Sequence, residues 1–223
     1  MNHTLFNKAL ATLPADLAAN LTKSLGSTPF SGKIPASVLE PLLQQPQALM
    51  QWLPFAAQFA ITPVSNFMVG AMVVGHSGAG YIGANFEFEA QPLGQSVHGE
   101  QAAINNAWLH GETGISHLFV NASPCGHCRQ FIREIAEQPQ LQVWVSNKTQ
   151  TTFSQLLPDS FGPEDLGNAF ALFQQPQQAF TVNSDNPDVQ AITEQAKLSY
   201  APYTGYYHGL GLQTDDNRWF IGR

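Results

Sequence analysis

A chain of 223 residues with 43% hydrophobic content is long enough to bury one substantial core, or one compact domain with smaller attachments. The formal charge of −7 rests on only 9 Lys and Arg with no basic cluster, which argues against a surface built to track a phosphate backbone. No apolar run approaches the roughly 20 residues needed to span a bilayer; the longest, 67–74, is interrupted by Gly70.

Residues 5–25 read as a helix, because Phe6, Leu10, Leu13, Leu17 and Leu21 recur at spacings of 4, 3, 4 and 4 along one face. Pro14 and Asp16 break its apolar stretch and no small-residue cleavage site follows. It is therefore expected to be part of a mature, cytoplasmic protein rather than a signal peptide. Gly26 and Ser27-Thr28-Pro29 end it. Residues 35–44 and 47–60 also read as helical, with Pro54 starting, kinking or ending a turn. The sequence thus predicts an N-terminal helical domain over 1–47.

The pattern then changes. Residues 67–74 are apolar on both alternate faces, as in a strand covered on each side. A glycine-rich turn leads to a second strand at 81–85, and the two form a predicted hairpin. A helix over 96–109, a strand over 116–121, a helix over 125–136 and a strand over 141–146 follow. This alternation predicts an α/β sandwich with parallel crossovers, closing a second domain at 48–150.

Residues 151–188, rich in Gln, Pro, Asn and Ser, are expected to be an extended connector. A helix over 189–198 and a further hairpin come next, and this last part looks like a copy of the first hairpin. Pro63 and Pro202, Gly70 and Gly209, Ile82 and Ile221, and Gly83 and Gly222 are each 139 residues apart. The copy reaches Arg223, aligned with Ala84, so residues 189–223 are expected to be an incomplete pseudo-repeat that packs on the first unit or on a second chain.

Both cysteines of the chain, Cys125 and Cys128, fall in Pro124-Cys125-Gly126-His127-Cys128, at the predicted start of one helix. His98-Gly99-Glu100 lies near the start of the preceding helix. One imidazole and two thiolates are three suitable zinc ligands, leaving a fourth position for water, as in a catalytic site. Helix starts present unpaired N–H groups and the positive end of the dipole, which is expected to lower the thiol pKa values. Glu100 is suited to proton transfer beside that water.

Each residue has a plainer reading. His98 alone is a helix cap, Glu100 alone a first-turn carboxylate, and Phe67 alone a core residue of its strand. For the cysteines the rival is chemical, since Cys-Gly-His-Cys is also a thioredoxin-like disulfide-exchange pattern. The upstream His-x-Glu, and Pro124 where such oxidoreductases tend to carry an aromatic residue, favour zinc. His127 is then a solvent-facing spacer.

The His98-x-Glu100 and Pro124-Cys125-x-x-Cys128 pair resembles the zinc deaminases, and the chain as a whole resembles the larger homodimeric bacterial cytidine deaminases. That resemblance implies a three-layer α/β/α catalytic domain, one zinc ion per subunit held by His98, Cys125 and Cys128, and Glu100 as proton shuttle. It implies hydrolysis of free cytidine and 2′-deoxycytidine by zinc-activated water, in pyrimidine salvage in the cytoplasm. It also implies a nucleoside held at its 3′-hydroxyl by Asn85 and Glu87, at its base by the Phe67 ring, at its base carbonyl by the Gly99 N–H and at its amino group by the Ser123 carbonyl. Phe161 would close the pocket. Family members continue well past the counterpart of Arg223, so a truncated form is expected. Editing of cytosine in a polynucleotide would use the same chemistry but needs a basic path and stacking residues. A third reading is a non-catalytic binding or assembly module.

Overall fold

The computed structural model describes residues 3–135 and 140–223. They form two units: one holds the described residues through Arg133 and those from 140 to 160, the other Glu134, Ile135 and Phe161–Arg223.

In the first unit the expected N-terminal helix is two, α1 (His3–Leu10) and α2 (Ala15–Leu25). Pro14 makes the break: it has no N–H to give and its ring collides with the carbonyl of a preceding turn. Leu13, Leu17 and Leu21 are nevertheless all buried. Helix α3 (Ala36–Leu43), a 3-10 segment at Pro46–Trp52 and α4 (Leu53–Ala57) follow. Pro54 lies in the first turn of α4, where a missing N–H costs little.

Among the described residues the sheet has six strands, β1 (Lys33–Ile34), β2 (Gly70–Gly75), β3 (Gly80–Ala84), β4 (Ile115–Val120), β5 (Gln142–Val145) and β6 (Thr151–Thr152), in the order β1-β3-β2-β4-β5-β6. Strands β2 and β3 form the expected hairpin. Helix α5 (Gly99–Leu109) carries the chain from β3 to β4, and α6 (Gly126–Ile132) from β4 to β5. Because β3 and β4 are each antiparallel to β2, they run the same way, and β4 is parallel to β5. Both helical crossovers therefore join strands of one direction, with β2 opposed between the first two.

Alternation along the strands sorts the helices into layers. Met72, Val74, Ile82 and Phe119 share one face and pack with Leu17, Leu39, Trp52 and Phe55 of the N-terminal helices. Gly83, on the other face, meets the backbone of α5. The result is the α/β/α sandwich the sequence predicts.

The predicted helix over 125–136 is shorter. It ends at Ile132, capped by Arg133, and Ile135 instead bridges to Leu172, while Ala136 lies outside the described residues. Residues 151–156, expected as connector, form β6 and α7 (Phe153–Leu156) because the Gln155 side chain accepts the Thr152 N–H at 3.0 Å and Phe153 is buried.

The second unit contains α8 (Pro187–Ala196) and a hairpin of β7 (Leu210–Gln213) and β8 (Trp219–Gly222). Within it the Glu134 carboxylate accepts the hydroxyls of Tyr200 and Tyr203, each at 2.8 Å. The sequence repeat is a structural one. The pairs Leu210–Gly222, Gly211–Ile221, Leu212–Phe220 and Gln213–Trp219 stand 139 residues on from Ala71–Gly83, Met72–Ile82, Val73–Tyr81 and Val74–Gly80.

Candidate metal centre and cleft

Helix α5 starts where it does because His98 keeps extended backbone (φ −86°, ψ 155°) and its N–H donates to Gln101 Oε1 at 3.0 Å. This is one half of a capping box. Cys125 caps α6 in a parallel way: its sulfur accepts the Cys128 N–H at 3.4 Å. The two helix starts meet, with Cys125 Sγ 3.4 Å from His98 Nδ1. The ligand atoms of His98, Cys125 and Cys128 all lie within 4.8 Å of one another. A tetrahedral ion with bonds of about 2.0–2.3 Å sets its ligands about 3.3–3.8 Å apart, within that limit and reached by side-chain shifts of about 1 Å or less. The donor set and its spacing therefore fit zinc.

Cys128 corrects one expectation. Its side chain is only 1% exposed, and burial holds its thiol well above the usual range, with the Glu100 carboxylate and Cys125 adding to the shift. Desolvation here outweighs the dipole of a seven-residue helix. A bare thiolate is penalised at this position; ligation to a cation is what makes it favourable, with release of the proton. Glu100 lies in the first turn of α5, is 4% exposed and contacts the Cys128 thiol. It stands outside the three-ligand set. His127 is exposed, its ring 5.2 Å from that of His98.

Beside the triad opens a cleft of about 230 Å³, lined by Phe67, Asn85, Glu87, His98, Gly99, Glu100, Ser123 and Cys125 among others. Nearly every residue singled out in the sequence thus faces one space. Phe67 is 58% exposed and precedes β2, so the strand begins three residues later than expected and the core reading of this ring does not hold. Phe161 belongs to the second unit, where it is exposed.

Asn85 and Glu87 do more than face the cleft. The Asn85 amide accepts the Val69 N–H at 2.8 Å and donates to the Phe67 carbonyl at 2.9 Å. The Glu87 carboxylate accepts the N–H groups of Val64 and Ser65, at 3.0 and 2.9 Å, and the Ser65 hydroxyl. The Ser65 hydroxyl leads the interactions that hold the Glu87 carboxyl below the usual carboxylate range, outweighing burial. One amide N–H of Asn85 and spare lone pairs of Glu87 remain for a ligand. Ser65, Val69, Leu93, Ser96 and Ala122 also line the cleft. Sequence reading passes over them, since none belongs to a motif; only the pairing of Ser65 with Glu87 reveals its part.

An imidazole and two sulfurs at adjoining helix starts, with a buried carboxylate alongside, define a site for a catalytic zinc ion on an α/β fold. A family profile described as the cytidine and deoxycytidylate deaminase zinc-binding region matches residues 43–142, and a second of the same description matches 153–223. The cytidine deaminases of Vibrio vulnificus (strain CMCP6) and Shewanella loihica are each 40% identical to this chain, over 97% and 98% of it and 75% of each relative. A crystal structure of cytidine deaminase from Burkholderia pseudomallei is 29% identical, with a TM-score of 0.46 over 52% of this chain and 98% of that one. The chain belongs to the cytidine deaminase family, and its metal is zinc.

Proposed function

We propose that this chain hydrolyses free cytidine and 2′-deoxycytidine to uridine and 2′-deoxyuridine with release of ammonia. The observation that carries this reading is the convergence of His98, Cys125 and Cys128 within 4.8 Å, beside a small cleft that also presents Glu100. Zinc held by these three residues supplies the acidity that makes water a nucleophile near neutral pH.

The chain's own groups do the rest. Glu100 takes a proton from water and gives it to ring N3, which makes C4 electrophilic. The remaining hydroxyl adds at C4, and Glu100 then takes the second proton from that hydroxyl and delivers it to the amino nitrogen as the C4–N bond breaks and the C4 carbonyl forms. Water and cytidine are consumed, uridine and ammonia formed, and Glu100 ends ionised as it began. The Phe67 ring packs on the base, the Gly99 N–H bonds the base carbonyl, the Ser123 carbonyl holds the amino group, and Asn85 with Glu87 holds the 3′-hydroxyl. That hydroxyl is common to ribose and deoxyribose, so both nucleosides are accepted.

We infer that the chain acts as a cytoplasmic homodimer in pyrimidine salvage. Among the described residues no helix is long and apolar enough to cross a membrane. Exposed Phe67 and Leu93 line the cleft, and exposed Phe86 and Phe88 flank its Glu87 in sequence, an apolar surface of the kind that favours association. The test is an ultraviolet assay on zinc-loaded protein with cytidine, deoxycytidine and a cytosine-containing oligonucleotide, repeated after chelation. Turnover of both nucleosides, lost on chelation and restored by zinc, is expected. Zinc-loaded protein that leaves both nucleosides unchanged would overturn the reading.

A further inference from the structure

We propose that Asn121 is a positioning residue for the nucleoside, fixing the segment that carries Phe67 over the cleft. This rests on the reading of the cleft as a nucleoside site. Residues 67–69 precede β2 and lie beyond its ladder partners on both sides. The turn into them passes through Asn66, whose φ of 54° is left-handed. Asparagine tolerates that conformation. A segment so placed has no strand beside it to hold its peptide groups.

Two asparagines take the part of the missing strands. From the end of β3, the Asn85 N–H donates to the Val69 carbonyl at 3.3 Å, Oδ1 accepts the Val69 N–H at 2.8 Å, and Nδ2 donates to the Phe67 carbonyl at 2.9 Å. From the end of β4, the Asn121 N–H donates to the Gly70 carbonyl at 3.2 Å, Oδ1 accepts the Gly70 N–H at 3.1 Å, and Nδ2 donates to the Met68 carbonyl at 3.1 Å. Odd-numbered residues are bonded on one side and even-numbered ones on the other, the alternation of a central strand. Each side-chain amide supplies the donor and acceptor that a neighbouring peptide would have offered. The ladder is extended past its last true pair by one further backbone bond on each side, from Asn85 to Val69 and from Asn121 to Gly70, and by the two side-chain amides.

The two clamps differ in what else they touch. Asn85 lines the cleft, whereas Asn121 does not; the residues that follow it, Ala122, Ser123 and Cys125, do. Asn121 therefore ties the segment bearing Phe67 to the loop bearing a metal ligand, and sets the separation of these two walls. It acts on substrate only through them, which makes its contribution separable from direct binding.

The test uses Asn121→Ala and Asn121→Asp in the full zinc-loaded chain. Aspartate keeps the size and the acceptor for Gly70 but sets an acceptor against the Met68 carbonyl, so it serves even where the alanine variant folds poorly. Both variants are expected to retain stoichiometric zinc and to raise KM for cytidine by about tenfold, with a smaller change in kcat. Uridine, titrated as the product, should bind more weakly by a similar factor, and amide exchange at Gly70 should accelerate in Asn121→Ala. Unchanged KM and uridine affinity in both variants, or a KM rise that tracks loss of zinc, overturns the proposal. A zinc-loaded parent that neither converts cytidine nor binds uridine is a distinct failure, seen before any substitution; it overturns the nucleoside reading and this proposal with it.

Discussion

Replacing Gly83 with alanine would act on the metal centre without touching a ligand. A Cβ at Gly83 would lie 2.2 Å from the Ala103 nitrogen, 2.3 Å from the Gly99 oxygen and 2.8 Å from the Ala102 carbonyl carbon. Ordinary contact at carbon is about 3.5–4.0 Å, and all three atoms are backbone, with no rotamer to yield. The start of α5 must therefore retreat from β3 by about 1 Å or more. Gly99 sits between His98 and Glu100, so the retreat is passed directly to the ligand and the proton shuttle. Overpacking of this kind costs about 1–3 kcal/mol, a fall of about 2–12 °C in Tm for a chain of this length. A 1 Å displacement of reacting groups can cost about 10²-fold in rate. Gly83→Ala is thus expected to lose about 10²-fold in kcat/KM for cytidine in the ultraviolet assay, alongside the fall in Tm. The protein contains its own control: Gly222, the counterpart of Gly83 in the repeat, has nothing within 4 Å of the position a Cβ would take. Gly222→Ala should leave Tm and turnover close to the parent. Parental activity and Tm in Gly83→Ala, or equal damage from the two substitutions, would refute the reasoning.

Glu100→Gln should keep zinc, measured by metal analysis, and lower kcat by at least about 10²–10⁴-fold; parental turnover would remove Glu100 from its role. Glu112 supports the other end of the β2–β3 hairpin, accepting the Ser77 N–H at 3.2 Å, the Ser77 hydroxyl and the Tyr81 hydroxyl at 2.7 Å. Burial alone would raise its carboxyl pKa, but these donors and the charge of Lys33 outweigh it and hold it below the usual range. Its folded-state pKa is depressed, so its stabilisation is present above the ordinary carboxylate range and is lost as pH falls through the depressed value. Glu112→Gln, partly solvated, should cost about 1 kcal/mol at neutral pH. The gap in Tm from the parent should close on acidification, and a gap that persists at low pH would count against the charge as its source.

What could be read from sequence divides by the range of the interaction that fixes it. The β2–β3 hairpin announced itself because both strands are buried and the turn between them needs glycine, all within a few residues. The triad was equally legible, since thiols are scarce in this chain and their spacing is set by the first turn of a helix. Pro14 was visible, yet the apolar period ran through it unchanged; only the geometry of proline decided between one helix and two. Asn121 and Ser65 had no local signal at all. Their parts depend on partners 51 and 22 residues away, to the Gly70 N–H and the Glu87 carboxylate. The high thiol pKa of Cys128 was hidden for the same reason, because burial is a property of the whole core.

The repeat shows which part of this architecture is structural and which is chemical. A Cβ on Gly70 would meet the Leu53 oxygen at 2.4 Å and the Ala57 nitrogen at 2.5 Å; one on Gly209 would meet the Ile192 oxygen at 2.6 Å and the Ala196 nitrogen at 3.2 Å. Every residue of the second set lies 139 positions after its counterpart in the first. Both copies thus seat a helix against a hairpin at a glycine, and the strand register follows from that seat. The opposite faces differ: Ala71, Val73 and Tyr81 are buried, whereas Leu210, Leu212 and Phe220 are exposed. In the first copy that face receives α5, whose start delivers His98 and Glu100. In the first copy the close seat at Gly83 brings that helix near enough to hold an imidazole against two sulfurs.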